Sequence, residues 1–194
     1  MLNLGILISG MGSNMESILK SIKSGETRIN PAIVISNKSG VRGIAIAKKY
    51  NVKTAIVESV VGESRMNYDM RVVKILKRNK VTPKNGLVCL AGFMRLISPE
   101  FTRMYRDRIL NIHPALLPSF PGLHAQRQAL EYGVKYTGCT VHFVDEGVDT
   151  GRIIIQDVVK VEKNDTEKVL SARILKKEHK IYSKAIRLII DKKI

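Results

Sequence analysis

Short apolar runs alternate with segments whose apolar residues recur at helical spacing along nearly the whole 194-residue chain. "NLGILIS" near the start reads as a short buried strand. After it Met15, Ile18, Leu19 and Ile22 fall at i, i+3, i+4 and i+7, a single helical stripe that ends at Gly25. "AIVIS" (Ala32 to Ser36) predicts a second strand, "GIAIAKKYN" a second helix, "TAIVES" a third strand and "SRMNYDMRVVKILKRNK" a third helix. "GLVCLAG" is too continuously apolar to lie at a half-exposed edge. Ser98 then caps a short helix with Pro99 in its first turn, where the missing N–H costs nothing. "RILNI" predicts a strand, "HAQRQALEYG" a helix stopped by Gly133, "TVHFV" and "RIIIQDVVKV" two more strands, and a long helix runs from about Thr166 to Ile190. This order predicts an α/β fold: a single-domain, Rossmann-like, mostly parallel sheet of about seven strands with helices on both faces. There is no repeat, low-complexity segment or linker.

Composition narrows the class. A chain of this length with 44% hydrophobic residues can bury a sizeable core as one domain. Cys89 and Cys139 both sit in apolar stretches, which gives neither a disulfide framework nor metal-ligand spacing. A reducing cytoplasm fits best, and no metal is expected. "MLNLGILISG" is a poor signal peptide because it has no basic n-region, and no stretch approaches a membrane span. The net charge of +16 invites nucleic acid as a partner. The basic residues are spread over "KSIKSG", "KILKRNK" and "ARILKKEHKIYSKAIR", however, which also read as amphipathic helices, so solvated helix faces are the simpler reading. The absence of Trp also argues against a base-stacking surface.

In an open α/β sheet, ligands bind where strands deliver their carboxyl ends, and three such places carry chemistry. The first is "SGMGSNME" (Ser9 to Glu16). Gly10 and Gly12 permit a tight turn, and Ser13-x-x-Glu16 has capping-box spacing, so free N–H groups at a helix start would hold a phosphate or carboxylate. It is not a dinucleotide fingerprint, because Met15 stands at the third glycine position, and it lacks the lysine of a P-loop. The second is "ILNIHPALLPSFPGLHAQRQALEYG" (Ile109 to Gly133). Asn111 offers an amide donor to an oxyanion and His113 a proton carrier, and Pro114, Pro118 and Pro121 stiffen the connection that follows. Of the other histidines, His142 reads as a sheet-face residue, His124 as a helix cap, and His179 lies on the last helix. The third is "DEGVDTGR" (Asp145 to Arg152). Its Asp149 would stabilise an imidazolium at His113, while Asp145 and Glu146 read as solvated. With no covalent nucleophile in view, these parts describe acyl or formyl transfer by direct attack of a substrate amine.

"ILISGMGSN", "LAGFMRLISPEF", "LNIHPALLPSFPGLHAQRQALEYG" and "GCTVHFVDEGVDTG" resemble the phosphoribosylglycinamide formyltransferase family of the folate-dependent formyltransferase superfamily, from about residue 2 to residue 190. The resemblance implies a formyltransferase fold with a phosphate-binding N-terminal half and a folate-binding C-terminal half. It implies 10-formyltetrahydrofolate as formyl donor and phosphoribosylglycinamide (GAR) as acceptor in purine biosynthesis, with a homodimer possible. By similarity, Asn111 and His113 stabilise the oxyanion, His113 donates a proton, and Asp149 raises the His113 pKa and helps relay the amine proton. Gly12, Ser13 and Asn14 match the phosphate segment and Glu178 a ribose-side contact. Met94, Arg95, Leu96 and Ile97, with Asn111, match the folate site, and Arg65 matches a position that reaches toward the folate tail. Leu175 stands where relatives often carry a polar or basic phosphate contact, with Lys176 or Lys177 as substitutes. Methionyl-tRNA formyltransferases and formyltetrahydrofolate deformylases share the catalytic core, but each is expected to carry a further domain. A silent nucleic-acid-binding module rests on the +16 charge alone.

Overall fold

A computed structural model describes residues 1–193. Seven strands form one sheet: β1 (Asn3–Ile8), β2 (Asn30–Ser36), β3 (Thr54–Ile56), β4 (Gly86–Leu90), β5 (Ile109–His113), β6 (Tyr136–Phe143) and β7 (Ile153–Lys160). They are ordered β3-β2-β1-β4-β5-β6-β7. The pairs from β3 across to β5 are parallel; β5 with β6 and β6 with β7 are antiparallel. Six helices connect them: α1 (Ser13–Lys23), α2 (Arg42–Lys49), α3 (Arg65–Arg78), α4 (Pro99–Met104), α5 (Ala125–Tyr132) and α6 (Glu167–Ile190). Among the described residues, no helix is long and apolar enough to cross a membrane.

Alternation along the strands divides the core into two layers. Leu4, Ile6, Ile8 and Leu110 pack with Met15 and Leu19 of α1 and Ile174 and Tyr182 of α6. Leu7, Ile35, Leu90 and Ile109 pack on the other face with Tyr68, Val72 and Leu76 of α3 and Phe101 of α4. Between the layers, the buried Tyr182 hydroxyl reaches the carbonyls of Leu90 (2.9 Å) and Leu110 (3.1 Å), tying α6 to the two central strands that carry the site.

The predicted elements are all present. The third strand is shorter than its apolar run, because β2 ends at Ser36 opposite Ile56 and nothing remains for the edge strand to pair with. From there the buried Tyr68 hydroxyl donates to the Val57 carbonyl, and Arg71 donates to the Glu58 carbonyl, drawing the chain over onto α3.

The two faces are covered unequally. The α3–α4 layer reaches as far as Ile109 on β5, and beyond it the face over β5 and β6 carries the loops 114–124 and 144–152 instead of a helix. Leu110 and Ile112 point into the α1–α6 layer, so Asn111 and His113 point to this helix-free face.

Candidate active site

The turn after β1 is built by Gly12, which has φ +74° and lies against Gly43, where an added Cβ would come within 2.8 Å of the Gly43 Cα. Gly12 is therefore the N-cap of α1, Ser13 is its first helical residue, and no side chain caps the helix. The capping box predicted from Ser13 and Glu16 does not form; Glu16 instead pairs with Lys20 at 3.2 Å. The left-handed glycine has moved the helix start back by one residue, which leaves the first-turn N–H groups free for an anion. They border a cavity of about 210 Å³ lined by residues 9–14 with Ala91, Gly92 and Met94. At its edge the Asn14 amide donates to the Glu178 carboxylate at 2.7 Å, joining α1 to α6. Burial raises the Glu178 pKa, and the Asn14 hydrogen bond opposes that only in part. Of the lysines beside Leu175, Lys177 is tied to Asp157 at 3.0 Å and Lys176 is exposed.

Asp149 brings the catalytic candidates together. One carboxylate oxygen, Oδ2, lies 3.2 Å from His113 Nδ1 and accepts the Gly122 N–H at 2.9 Å. The other, Oδ1, lies 3.3 Å from Asn111 Nδ2 and 3.5 Å from His142 Nε2. Burial alone would raise this carboxyl, but hydrogen bonds from His113, His142 and Gly122 outweigh it and hold the pKa well below the usual carboxylate range. The hairpin return that delivers Asp149 depends on Gly151, because a side chain there would collide with the Phe143 carbonyl oxygen.

His113 is buried, with its Nε2 2.7 Å from the Phe120 carbonyl oxygen. Phe120 lies in the proline-containing connection, which therefore supplies a fixed acceptor behind the ring as well as stiffness. Nδ1 is left as the nitrogen that faces Asp149. The imidazolium, with N–H on both nitrogens, makes both bonds at once; either neutral tautomer makes one.

His142 does lie on the sheet face, as its alternation predicts, but that face is the site. It stands opposite Asn111 in the β5–β6 register, and the two side-chain nitrogens are 3.3 Å apart. Asn111 thus directs its amide toward both His142 and Asp149, through long bonds of the kind that tighten when a reactant arrives. The role of His142 was missed because register is not legible in one strand alone. His124 occupies the N-cap position of α5 with φ +58°, but its side chain makes no capping bond; it lines the neighbouring cavity.

That second cavity, about 720 Å³, runs beside the Asp149 cluster and is lined among others by Arg65, Met94, Leu96, Ile97, Leu123 and Val148. Its size suits a drug-sized or cofactor-sized molecule. Met94 and Leu96 are exposed on its wall while Ile97 is buried beneath. Arg95 lines it as well, but its guanidinium stacks on the Tyr68 ring, 3.9 Å from the centroid, so main-chain groups are what the residue offers a ligand. The two cavities share Gly92 and Met94, and Ser9 holds both: its N–H donates to the Gly92 carbonyl (3.1 Å) and its hydroxyl accepts the Met94 N–H (2.8 Å). Both cysteines are buried with their thiols pushed up to about 12 by burial, and neither lines these two cavities. Among the described residues there is no group of three or more His, Cys, Asp or Glu placed to hold a metal.

The formyl transferase family pattern matches residues 2–186. Over 190 residues the chain is 38% identical to the phosphoribosylglycinamide formyltransferase of Escherichia coli strain K12, covering 98% of this chain and 88% of that one. It is 44% identical over 188 residues to the trifunctional purine biosynthetic protein adenosine-3 of Drosophila melanogaster, covering 96% of this chain but spanning only 14% of that much longer protein. The structure superposes with a TM-score of 0.94 on glycinamide ribonucleotide transformylase 1 from Symbiobacterium toebii, at 45% identity, covering 98% of this chain and 88% of that one.

Proposed function

Because this chain belongs to the formyl transferase family, we propose that it moves the formyl group of 10-formyltetrahydrofolate to the amine of 5'-phosphoribosylglycinamide, a step of purine biosynthesis in the cytoplasm. The observation that carries the reading is the Asp149 carboxylate, which contacts His113 and Asn111 within 3.3 Å at the wall of a cavity large enough for a folate.

In this reading the amine attacks the formyl carbon directly, the carbonyl π electrons pass to oxygen, and a tetrahedral intermediate forms. Asn111 Nδ2 and His113 Nδ1 are the donors available to that oxyanion, and such a preorganised donor contributes roughly 3 kcal/mol. As the intermediate collapses, the carbon–N10 bond breaks, N10 gains a proton and the amine loses one. His113 supplies a proton from Nδ1, the nitrogen turned to the site while Phe120 holds the other. The amine proton passes along the Asp149 carboxylate to His113 Nδ1, replacing the one given to N10, while Asp149 ends ionised and stabilises the imidazolium. The products are the formylated ribonucleotide and tetrahydrofolate.

The smaller cavity takes the ribonucleotide's phosphate on the N–H groups of Gly12, Ser13 and Asn14, with Glu178 toward the ribose. The donor lies in the larger cavity, walled by Met94, Leu96 and Ile97, read at the pterin edge by main-chain groups around Arg95, with Arg65 toward its tail carboxylates. The phosphate end is the work of the N-terminal half. The donor end draws on the C-terminal loops together with Arg65 and the 94–97 segment.

The test is a spectrophotometric assay with phosphoribosylglycinamide and a 10-formyl-folate donor, run beside Asp149→Asn. Turnover that collapses in the variant supports both substrate and mechanism. Full turnover in the variant removes the mechanism, and no turnover by the wild type removes the acceptor assignment.

A further inference from the structure

Asp69, in the second turn of α3, is a carboxylate only 1% exposed, set in the apolar layer with Val72, Val73 and Phe101. Burying a charge there is costly unless the charge is used, and packing alone would be served by an apolar residue of similar volume. No cation pairs with it directly among the described residues. Its Oδ2 accepts the main-chain N–H of Ser98 at 2.6 Å, and its Oδ1 has no hydrogen-bond partner. Burial raises its pKa, with the Ser98 bonds and the charges of Arg95 and Arg65 opposing the rise.

Ser98 ends the irregular segment 91–98 that forms the wall of the larger cavity. That segment has no ladder of its own and is held at three points. Ser9 holds its start through Gly92 and Met94, the Tyr68 ring carries the Arg95 guanidinium at 3.9 Å, and Asp69 holds its end. Two of the three supports are adjacent residues of α3. Arg65, Tyr68 and Asp69 stand at i, i+3 and i+4, so one helical face presents the cavity-lining arginine, the stacking ring and the anchoring carboxylate together. Ser98 is also the N-cap of α4, its hydroxyl accepting from Phe101 N–H, so the same anchor fixes where α4 begins.

We propose that Asp69 is a positioning residue for the donor: through the Ser98 N–H it sets the height of the 94–97 wall over the cavity, so that main-chain groups meet the pterin edge. This rests on the reading of the larger cavity as the donor site. A displacement of a few tenths of an ångström at the Ser98 end of the wall weakens donor binding, while the first-turn N–H groups of α1 that face the phosphate stay where α1 and α6 hold them.

The experiment compares wild type with Asp69→Leu, which fills the space without an acceptor, Asp69→Ser, which is too short to reach Ser98, and Asp69→Asn, which keeps an acceptor oxygen. Steady-state constants for both substrates are measured, and tetrahydrofolate is titrated calorimetrically. In the Leu and Ser variants, donor KM and tetrahydrofolate Kd are expected to rise about tenfold, with kcat at saturation and ribonucleotide KM within about twofold. The Asn variant is expected within about threefold of wild type throughout. Unchanged donor KM in the variants that lack the acceptor overturns the proposal, as does a loss shared equally by both substrates, which is the mark of general destabilisation. A wild type that binds no reduced folate removes the donor-site reading and this inference with it, whereas unchanged variants of a folate-binding wild type remove this inference alone.

Discussion

Asn111 and His142 face each other across the antiparallel pair β5–β6 with their side-chain nitrogens 3.3 Å apart, and His142 Nδ1 lies 2.8 Å from the Phe143 carbonyl. His142 Nε2 and Asn111 Nδ2 converge on the same Asp149 Oδ1, so the ring packs against the Asn111 amide and holds its orientation. His142→Leu is expected to lower kcat about tenfold, with both KM values within about twofold, because the Asn111 donor loses its orientation and the binding surfaces do not. Steady-state kinetics on the purified variant check this.

Asp149→Asn and His113→Ala are each expected to slow turnover by about two orders of magnitude or more while the folded domain is retained. The carboxylate contacts three catalytic candidates at once, so the losses should be strongly non-additive in the double variant. Circular dichroism beside the assay separates lost chemistry from lost fold, and near-wild-type turnover in either single variant contradicts the assignment.

The same carboxylate gives an acid signature. Its pKa in the folded protein lies below the ordinary value, so its hydrogen bonds stabilise the fold above about pH 4 and that contribution is lost as pH falls through the depressed pKa. The thermal midpoint of the wild type should therefore fall more steeply below pH 4 than that of Asp149→Asn. Parallel curves for the two proteins contradict the assignment of those hydrogen bonds.

Glu178 gives the opposite sign. Its pKa is raised above the ordinary 4.5 by burial, so the folded state binds a proton more tightly than the unfolded state and stability declines as pH rises past that value. Glu178→Gln can still accept from Asn14 without the charge. It is expected to melt a few degrees higher than wild type at pH 7, with the difference vanishing near pH 4. Ribonucleotide KM should rise about tenfold if the carboxylate serves the ribose. Melting curves across pH and the two KM values decide both parts.

Gly12→Ala puts a Cβ where φ is +74° and where Gly43 Cα stands 2.8 Å away. The turn must open, at a cost of roughly 1–3 kcal/mol. Ribonucleotide KM is expected to rise more than tenfold while donor KM stays near wild type. Equal increases in both KM values show that the first turn of α1 is not a phosphate site.

The order of elements was legible because each helix and strand has its own apolar period, and the Asn-x-His pair with the later Asp-Thr-Gly turn announced a shared site. What escaped depended on partners distant in the chain. His142 alternates with Val141 and Phe143 as any half-buried strand residue does, and its meaning comes from the register that sets it opposite Asn111. Ser13 and Glu16 have the spacing of a capping box, and only the approach of Gly43 to Gly12 shows why the helix starts a residue early. Asp69 reads as one charge on an amphipathic helix until Ser98, 29 residues later, is seen above it.

The change of strand direction after β5 bears on how such a site diversifies. A parallel continuation of the sheet needs a crossover segment, usually a helix, laid over one of its faces, whereas antiparallel strands join through a short return. The return between β6 and β7 carries Asp149, with Glu146 and Val148 on the rim of the larger cavity. Residues 145–148 can therefore lengthen or change character without repacking a helix, so long as Gly151 keeps the turn closed on Phe143. The selectivity of the larger cavity can thus change at one hairpin tip, beside Asn111 and His113 held still by the sheet.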